Sequence, residues 1–167
     1  ICDNLTETSK KLKAVNTITY NNNSISGDNT DPEGFTKSIA EKIKTENIVG
    51  KNVLVIGAGG SARSIVYALD KMQAKITIVN RTTAKAINLS NDLDIPLNIE
   101  EFDQINSLIH GFDMVVNTTA LGMLGNQNLN IDTQCENWMP SLNIEYLYIL
   151  LILVIFTLVV KSTTFIC

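Results

Sequence analysis

Apolar and polar positions along this chain follow two periods, and the change from one to the other marks its elements. Asn52-Val53-Leu54-Val55-Ile56 is a short, mostly β-branched run, which predicts a buried strand. Beyond the turn Gly57-Ala58-Gly59-Gly60, the residues Ala62, Ile65, Val66 and Leu69 recur three and four apart. That is the spacing of one helix face, so residues 60–71 read as a helix. The same criteria give a strand over 75–79, a helix over 83–93, a short strand around 97–99, a helix over 101–109 and a strand over 114–117. Strands and helices alternating in this way predict a parallel sheet with helices on both faces.

Upstream the pattern is different. Residues 17–20 and 24–26 are β-rich runs on either side of Asn21-Asn22-Asn23, and residues tolerant of positive φ between two such runs predict a hairpin. Thr30 or Asp31 then caps a helix with Pro32 in its first turn. Phe35, Ile39 and Ile43 fall on one face of it to about Lys44, before Gly50. Downstream, residues 125–130 are Asn-rich and read as loop, and no internal repeat interrupts the first 140 residues. The C-terminus is an almost unbroken apolar run from 146 to 160, closed by Lys161. As a helix it would be about 22 Å long, short of the roughly 30 Å hydrocarbon core of a bilayer. Three readings stay open for it: a membrane anchor, buried strand and helix of the domain, or residues foreign to the ancestral protein through a frameshift or misjoined gene.

Chemistry enters at the glycine turn. A strand, a Gly-x-Gly turn and a helix N-terminus together let backbone N–H groups approach a pyrophosphate, so Gly57, Ala58, Gly59, Gly60 and Ser61 are candidate cofactor-binding residues. Ala62 stands where a third glycine is common and still permits close helix packing. The next strand ends in Asn80-Arg81-Thr82, with Lys85 one turn on. An NAD site usually places Asp or Glu there for the ribose 2′-hydroxyl. An acid would repel a 2′-phosphate, whereas a guanidinium grips it. The cofactor implied is NADP rather than NAD. Taken alone, Arg81 also reads as a solvated surface arginine, and the turn as a glycine turn without a nucleotide.

Composition narrows the class further. The chain has 167 residues, enough for a domain with an apolar core, and a net charge of −4, which leaves no basic face for nucleic acid. Cys2, Cys135 and Cys167 have unpatterned spacing that suggests neither a disulfide framework nor a metal site, so a reducing cytoplasm is the expected compartment. The sequence opens on Ile1 and on a polar stretch of mixed charge, consistent with processing or with a fragment and not with a signal peptide. His110, before Gly111 at a helix end, is assigned no role.

Three segments, Ala14-Val15-Asn16-Thr17, Gly27-Asp28-Asn29-Thr30-Asp31-Pro32-Glu33-Gly34-Phe35 and Asn117-Thr118-Thr119-Ala120-Leu121-Gly122-Met123, bracket the glycine turn and Asn80-Arg81-Thr82. In order and spacing they resemble the shikimate dehydrogenase family, NADP-dependent enzymes of aromatic amino-acid biosynthesis, over roughly residues 3 to 125. The glycine turn and Asn-Arg-Thr alone would also fit glutamyl-tRNA reductase. The resemblance implies that Asn16 binds hydroxyls of a cyclohexene substrate, shikimate or 3-dehydroshikimate, and that Asp31 holds the reacting hydroxyl as half of a Lys-Asp catalytic pair. It further implies that Asn80, Arg81, Thr82 and Lys85 surround the adenosine 2′-phosphate and that Thr118 and Thr119 lie near the nicotinamide side. From the residues alone, Asp31 also reads as a helix cap, Asn16 as a strand-end turn residue and Met123 as packing.

The departures are specific. In the family the catalytic lysine and several substrate-binding hydroxyls lie upstream of Ala-Val-Asn-Thr, in a part that would precede Ile1. Lys10, Lys11 and Lys13 are too close to Asn16 to serve, and Lys13 and Pro32 stand where the family commonly has glycine. The expected fold is α/β, a Rossmann-like doubly wound parallel sheet preceded by the last strands of a truncated substrate domain. Residues 1–31 would be the substrate-domain remnant, 32–140 the NADP-binding domain and 141–167 the apolar tail. Two functions are carried forward. One is a shikimate dehydrogenase-like oxidoreductase, impaired in this stretch of chain. The other is a non-catalytic NADP-binding module tethered to a membrane through residues 146–160. Oligomeric state is not readable from the sequence.

Overall fold

The structure is a computed structural model that describes residues 2–40, 48–121 and 164–166, the last three by their backbone alone. The elements run β1 (Asn4–Leu5), α1 (Glu7–Leu12), β2 (Thr17–Asn21), β3 (Ser24–Asp28), α2 (Asp31–Ala40), β4 (Asn52–Ile56), α3 (Gly60–Lys71), β5 (Lys75–Asn80), α4 (Thr83–Leu93), β6 (Asn98–Glu101), α5 (Ile105–Leu108), β7 (Met114–Asn117) and β8 (Thr164–Ile166). They form two sheets, ordered β6-β5-β4-β7 and β1-β3-β2-β8.

The first sheet is parallel throughout, with Val53 opposite Ile76 and Met114, and Ile56 opposite Val79 and Asn117. Its side chains alternate between two apolar clusters, as a period of two requires. Val53, Val55, Ile76, Ile78 and Val116 pack with Phe35, Ile39, Ile65, Leu69, Leu89 and Leu93 from α2, α3 and α4. Leu54, Ile56, Val79 and Val115 face the other way, onto Ile105 and Ile109, with Phe102 and Phe112 against them. Both faces are thus covered, which is why β4 and β5 read as continuous apolar runs.

In the second sheet β2 and β3 form the expected hairpin, each strand longer than its apolar run. Asn22 and Asn23 turn it with φ of 47° and 60°. Two positive φ values at the turn centre match the right-handed twist of the strands. β1 adds parallel to β3, and β8 antiparallel to β2.

Several expectations need correction. The polar opening of the chain holds β1 and α1. Thr6 caps α1 by accepting the Ser9 N–H at 3.2 Å, and Leu12 is fully buried in the larger cluster. Thr30 does stand at the N-cap of α2, its carbonyl accepting the Gly34 N–H at 3.0 Å, but the side-chain bond at that end comes from Asn29, whose Oδ1 accepts the Asp31 N–H at 3.2 Å. The structure describes α2 to Ala40, so the expected Ile43 and Lys44 turn lies outside the described residues. The strand around 97–99 is displaced to Asn98–Glu101 because it pairs with β5 through Asn80. In place of one helix over 101–109, Phe102–Gln104 and Ile109–Gly111 are tight three-residue-per-turn segments around the four-residue α5. Phe102, Ile105 and Ile109 still reach the sheet, but Asn106 and Ser107 are poor helix formers and little chain remains before β7. Among the described residues no helix is long and apolar enough to cross a membrane. The run from 146 to 160, the Asn-rich stretch 125–130 and Met123 lie outside the described residues.

Candidate functional site

The site is built where β4, β5 and β7 end on the same edge of the parallel sheet. Gly57 leaves β4 with φ of +104° and donates its N–H to the Val79 carbonyl at 2.8 Å. A Cβ on Gly57 would lie 2.7 Å from both the Thr118 Oγ1 and the Thr119 Cγ2, so glycine is required here by conformation and by contact. Gly59 and Gly60 differ: a Cβ on either would meet nothing within 4 Å. The space a side chain would fill there is open to a ligand. Gly59 caps α3 without a side chain, and the first bond of the helix runs from Arg63 N to Gly59 O at 3.3 Å. The N–H groups of Gly60, Ser61 and Ala62 thus have no partner within the helix, and with the helix dipole they favour an anion.

A cleft of about 340 Å³ opens beside this turn, lined by Gly57, Asn80, Arg81, Phe102, Thr119, Ala120 and Leu121. Arg81, Thr82 and Lys85 are all exposed. The Asn80 Nδ2 donates to the Thr82 carbonyl at 2.8 Å and pins the turn that presents Arg81. Thr82 is the N-cap of α4 and Lys85 lies in the first turn of that helix, so two cations flank a second helix start.

The opposite wall is a hydrogen-bonded loop. Thr118 donates both its N–H, at 2.9 Å, and its hydroxyl, at 2.7 Å, to the Ile56 carbonyl. The Thr119 N–H and hydroxyl both donate to the Asn117 Oδ1, at 2.9 and 2.8 Å. Asn117 is buried; it opens one of the segments that carry the resemblance but is assigned no role of its own there. The signal that could have found it was the polar end of an otherwise apolar strand.

Asn16 and Asp31 come together from separate segments. The Asn16 Nδ2 donates to the Asp31 Oδ1 at 2.7 Å, and the Asn16 Oδ1 accepts the Thr30 N–H at 3.0 Å and the Thr17 hydroxyl at 2.9 Å. The Asn29 Nδ2 reaches the Ala14 carbonyl at 3.3 Å, locking the two segments together. Asp31 is exposed and Asn16 half-buried, so a carboxylate and an amide face solvent side by side, a pair able to take a hydroxyl between them. Asp31 opens α2, which packs along α3.

Arg63, within the glycine motif, pairs with Asp92 at 2.5 Å, and Lys13 reaches the same carboxylate at 2.9 Å. The hydrogen bond from Arg63, then that from Lys13, holds the Asp92 carboxyl below the usual value. At the other end of the sheet, burial alone would raise Asp113. The Asn52 N–H and the Lys51 ammonium at 3.0 Å outweigh it and lower that carboxyl as well.

The model of the Shikimate / quinate 5-dehydrogenase family matches residues 38–133. Shikimate dehydrogenase (NADP(+)) of Shouchella clausii is 37% identical over 123 residues, 72% of this chain and 44% of the relative. The crystal structure of shikimate dehydrogenase from Aquifex aeolicus superposes with a TM-score of 0.68 at 36% identity, covering 75% of this chain and 45% of that one. Quinate dehydrogenase from Corynebacterium glutamicum in complex with NAD gives 0.70 at 27% identity, over 80% and 49%. The chain therefore spans about half the length of the relatives it matches. With more than half of its residues inside the family model, the chain belongs to the shikimate/quinate 5-dehydrogenase family.

Proposed function

We propose that this chain carries the nucleotide-binding part, and the Asn16 and Asp31 corner of the substrate site, of an NADP-linked shikimate dehydrogenase. The reaction is reversible hydride transfer between shikimate and 3-dehydroshikimate. The division near residue 31 between a substrate-side segment and a nucleotide domain belongs to the same proposal. The observation that carries it is the 2.7 Å bond between Asn16 and Asp31, on a helix packed against the helix that follows the glycine turn.

NADP would supply the hydride acceptor for the carbinol C–H. The protein's own groups do the rest. The N–H groups of Gly60 and Ser61 hold the pyrophosphate, and the open space at Gly59 and Gly60 admits it. Arg81, with Lys85 nearby, would hold the 2′-phosphate, and Phe102, Ala120 and Leu121 in the same cleft suit the adenosine end; Thr119, which lines that cleft, then lies toward the adenosine side and not the nicotinamide side that the resemblance implies. Asn16 orients a ring hydroxyl. Asp31 accepts a hydrogen bond from the reacting hydroxyl, whose proton must leave as the C–H hydride departs. The resemblance implies a lysine partner for Asp31 outside residues 1–167, so these residues alone are expected to bind NADP with little turnover.

The test is nicotinamide reduction by the protein of the whole reading frame, offered shikimate or quinate with NADP or NAD. The proposal expects reduction of NADP with shikimate. Reduction of neither nucleotide with either acid would remove it, and a preference for quinate or NAD would move it within the family.

A further inference from the structure

We infer that Asn117 is a positioning residue, and that it acts by holding one wall of the nucleotide cleft through a closed ring of hydrogen bonds. The inference rests on the nucleotide reading above. The Asn117 Nδ2 donates to the Leu121 carbonyl at 2.9 Å, the Leu121 N–H donates to the Thr119 hydroxyl at 3.1 Å, and that hydroxyl donates to the Asn117 Oδ1 at 2.8 Å. The Thr119 N–H adds a fourth bond to the same oxygen at 2.9 Å. Asn117 is only 3% exposed, so it touches no ligand itself. Thr119 has spent its hydroxyl proton inside the ring, and its methyl group faces Gly57. The wall therefore meets a nucleotide through shape, with Thr119, Ala120 and Leu121 set opposite Arg81 across the cleft.

The ring separates two roles for Thr119 that its side chain alone cannot distinguish. If the hydroxyl served the nucleotide directly, changes at the buried Asn117 would leave binding intact. If it serves the ring, the two positions fail together. The probes are NADP and adenosine 2′,5′-bisphosphate, which keeps the 2′-phosphate and lacks the nicotinamide, each titrated calorimetrically into the wild-type chain and its variants. Thr119→Val, nearly isosteric and half-exposed, keeps the volume and breaks the ring. Asn117→Leu breaks it from the other side. Each is expected to weaken both probes roughly tenfold, because Leu121 loses a backbone partner, its N–H in Thr119→Val and its carbonyl in Asn117→Leu, and the wall relaxes. Thr119→Ser returns the hydroxyl and is expected to recover most of that loss, a rescue that a general packing defect would not give. Wild-type affinity in Thr119→Val or in a folded Asn117→Leu, or equal weakness in Thr119→Ser and Thr119→Val, overturns the inference. Failure of the wild-type chain to bind either probe removes the nucleotide reading, and the inference with it.

Discussion

Arg81 and Gly57 show how differently single residues constrain one site. Arg81 is exposed on a turn pinned by Asn80, and its worth lies in what it meets. Arg81→Ala is expected to weaken NADP by roughly ten- to a hundredfold, the range of a charge-assisted hydrogen bond, and to leave NAD nearly unchanged. Parallel titrations of the two nucleotides check it, and equal losses would remove the 2′-phosphate role. Gly57 is constrained from within the protein. Gly57→Ala puts a Cβ 2.7 Å from Thr118 and Thr119 at a φ of +104°, so a loss of about 1–3 kcal/mol in urea unfolding is expected. Arg81 is legible because it follows the strand after the glycine turn, where an acid is usual, whereas Asn16 and Asp31 are legible only through the resemblance of their segments. Asn117 stands in such a segment too, but its role is not legible, because the ring it closes through Leu121 is announced by no local spacing.

At the scale of elements, the sequence was most readable where one period ran long. α3 and α4 match their predicted spans, and β4 and β7 do too, since each presents a clear apolar face or run bounded by turn residues. The segment from 101 to 111 failed that reading because its helical spacing of apolar residues is served equally by short mixed turns. α1 was missed because only Ser9 and Leu12 are buried, too few positions to set a period. Its end carries a test. Lys13 sits at φ of 53°, a left-handed C-cap that glycine would occupy without strain, yet it pairs with Asp92 from an exposed position. Lys13→Ala should destabilise the fold slightly by losing the exposed pair, while keeping the strain. Lys13→Gly loses the pair and relieves the strain, so it is expected to be about 1 kcal/mol more stable than Lys13→Ala in urea unfolding.

For the whole molecule, the core is continuous from the first helix to the parallel sheet: Leu12 of α1 and Phe35 of α2 share one cluster with Val53, Val55 and Leu69. Electrostatics reinforce that continuity, since Asp92 ties α4 to Arg63 of α3 and to Lys13 after α1. The carboxyls of Asp92 and Asp113 are held below the ordinary aspartate range in the fold. A carboxyl lowered by folding contributes stability that is fully present above its unfolded pKa and is lost as pH falls through the folded one. The urea midpoint is therefore expected to fall on acidification below about pH 4, and Asp113→Asn to make that fall shallower. An acid limb of unchanged slope in that variant would contradict the assignment. The parallel sheet and the cover on both its faces thus follow from local patterns in the sequence. The joining of the first 40 residues to that core does not, because it depends on contacts between distant segments. If the edge where β4, β5 and β7 end is a site for NADP, calorimetric titration of residues 1–167 with NADP and with NAD shows it most directly. Saturable 1:1 binding of NADP at least tenfold tighter than NAD is expected, from the added 2′-phosphate contact; equal affinity for the two, or no binding of NADP, would rule the site out.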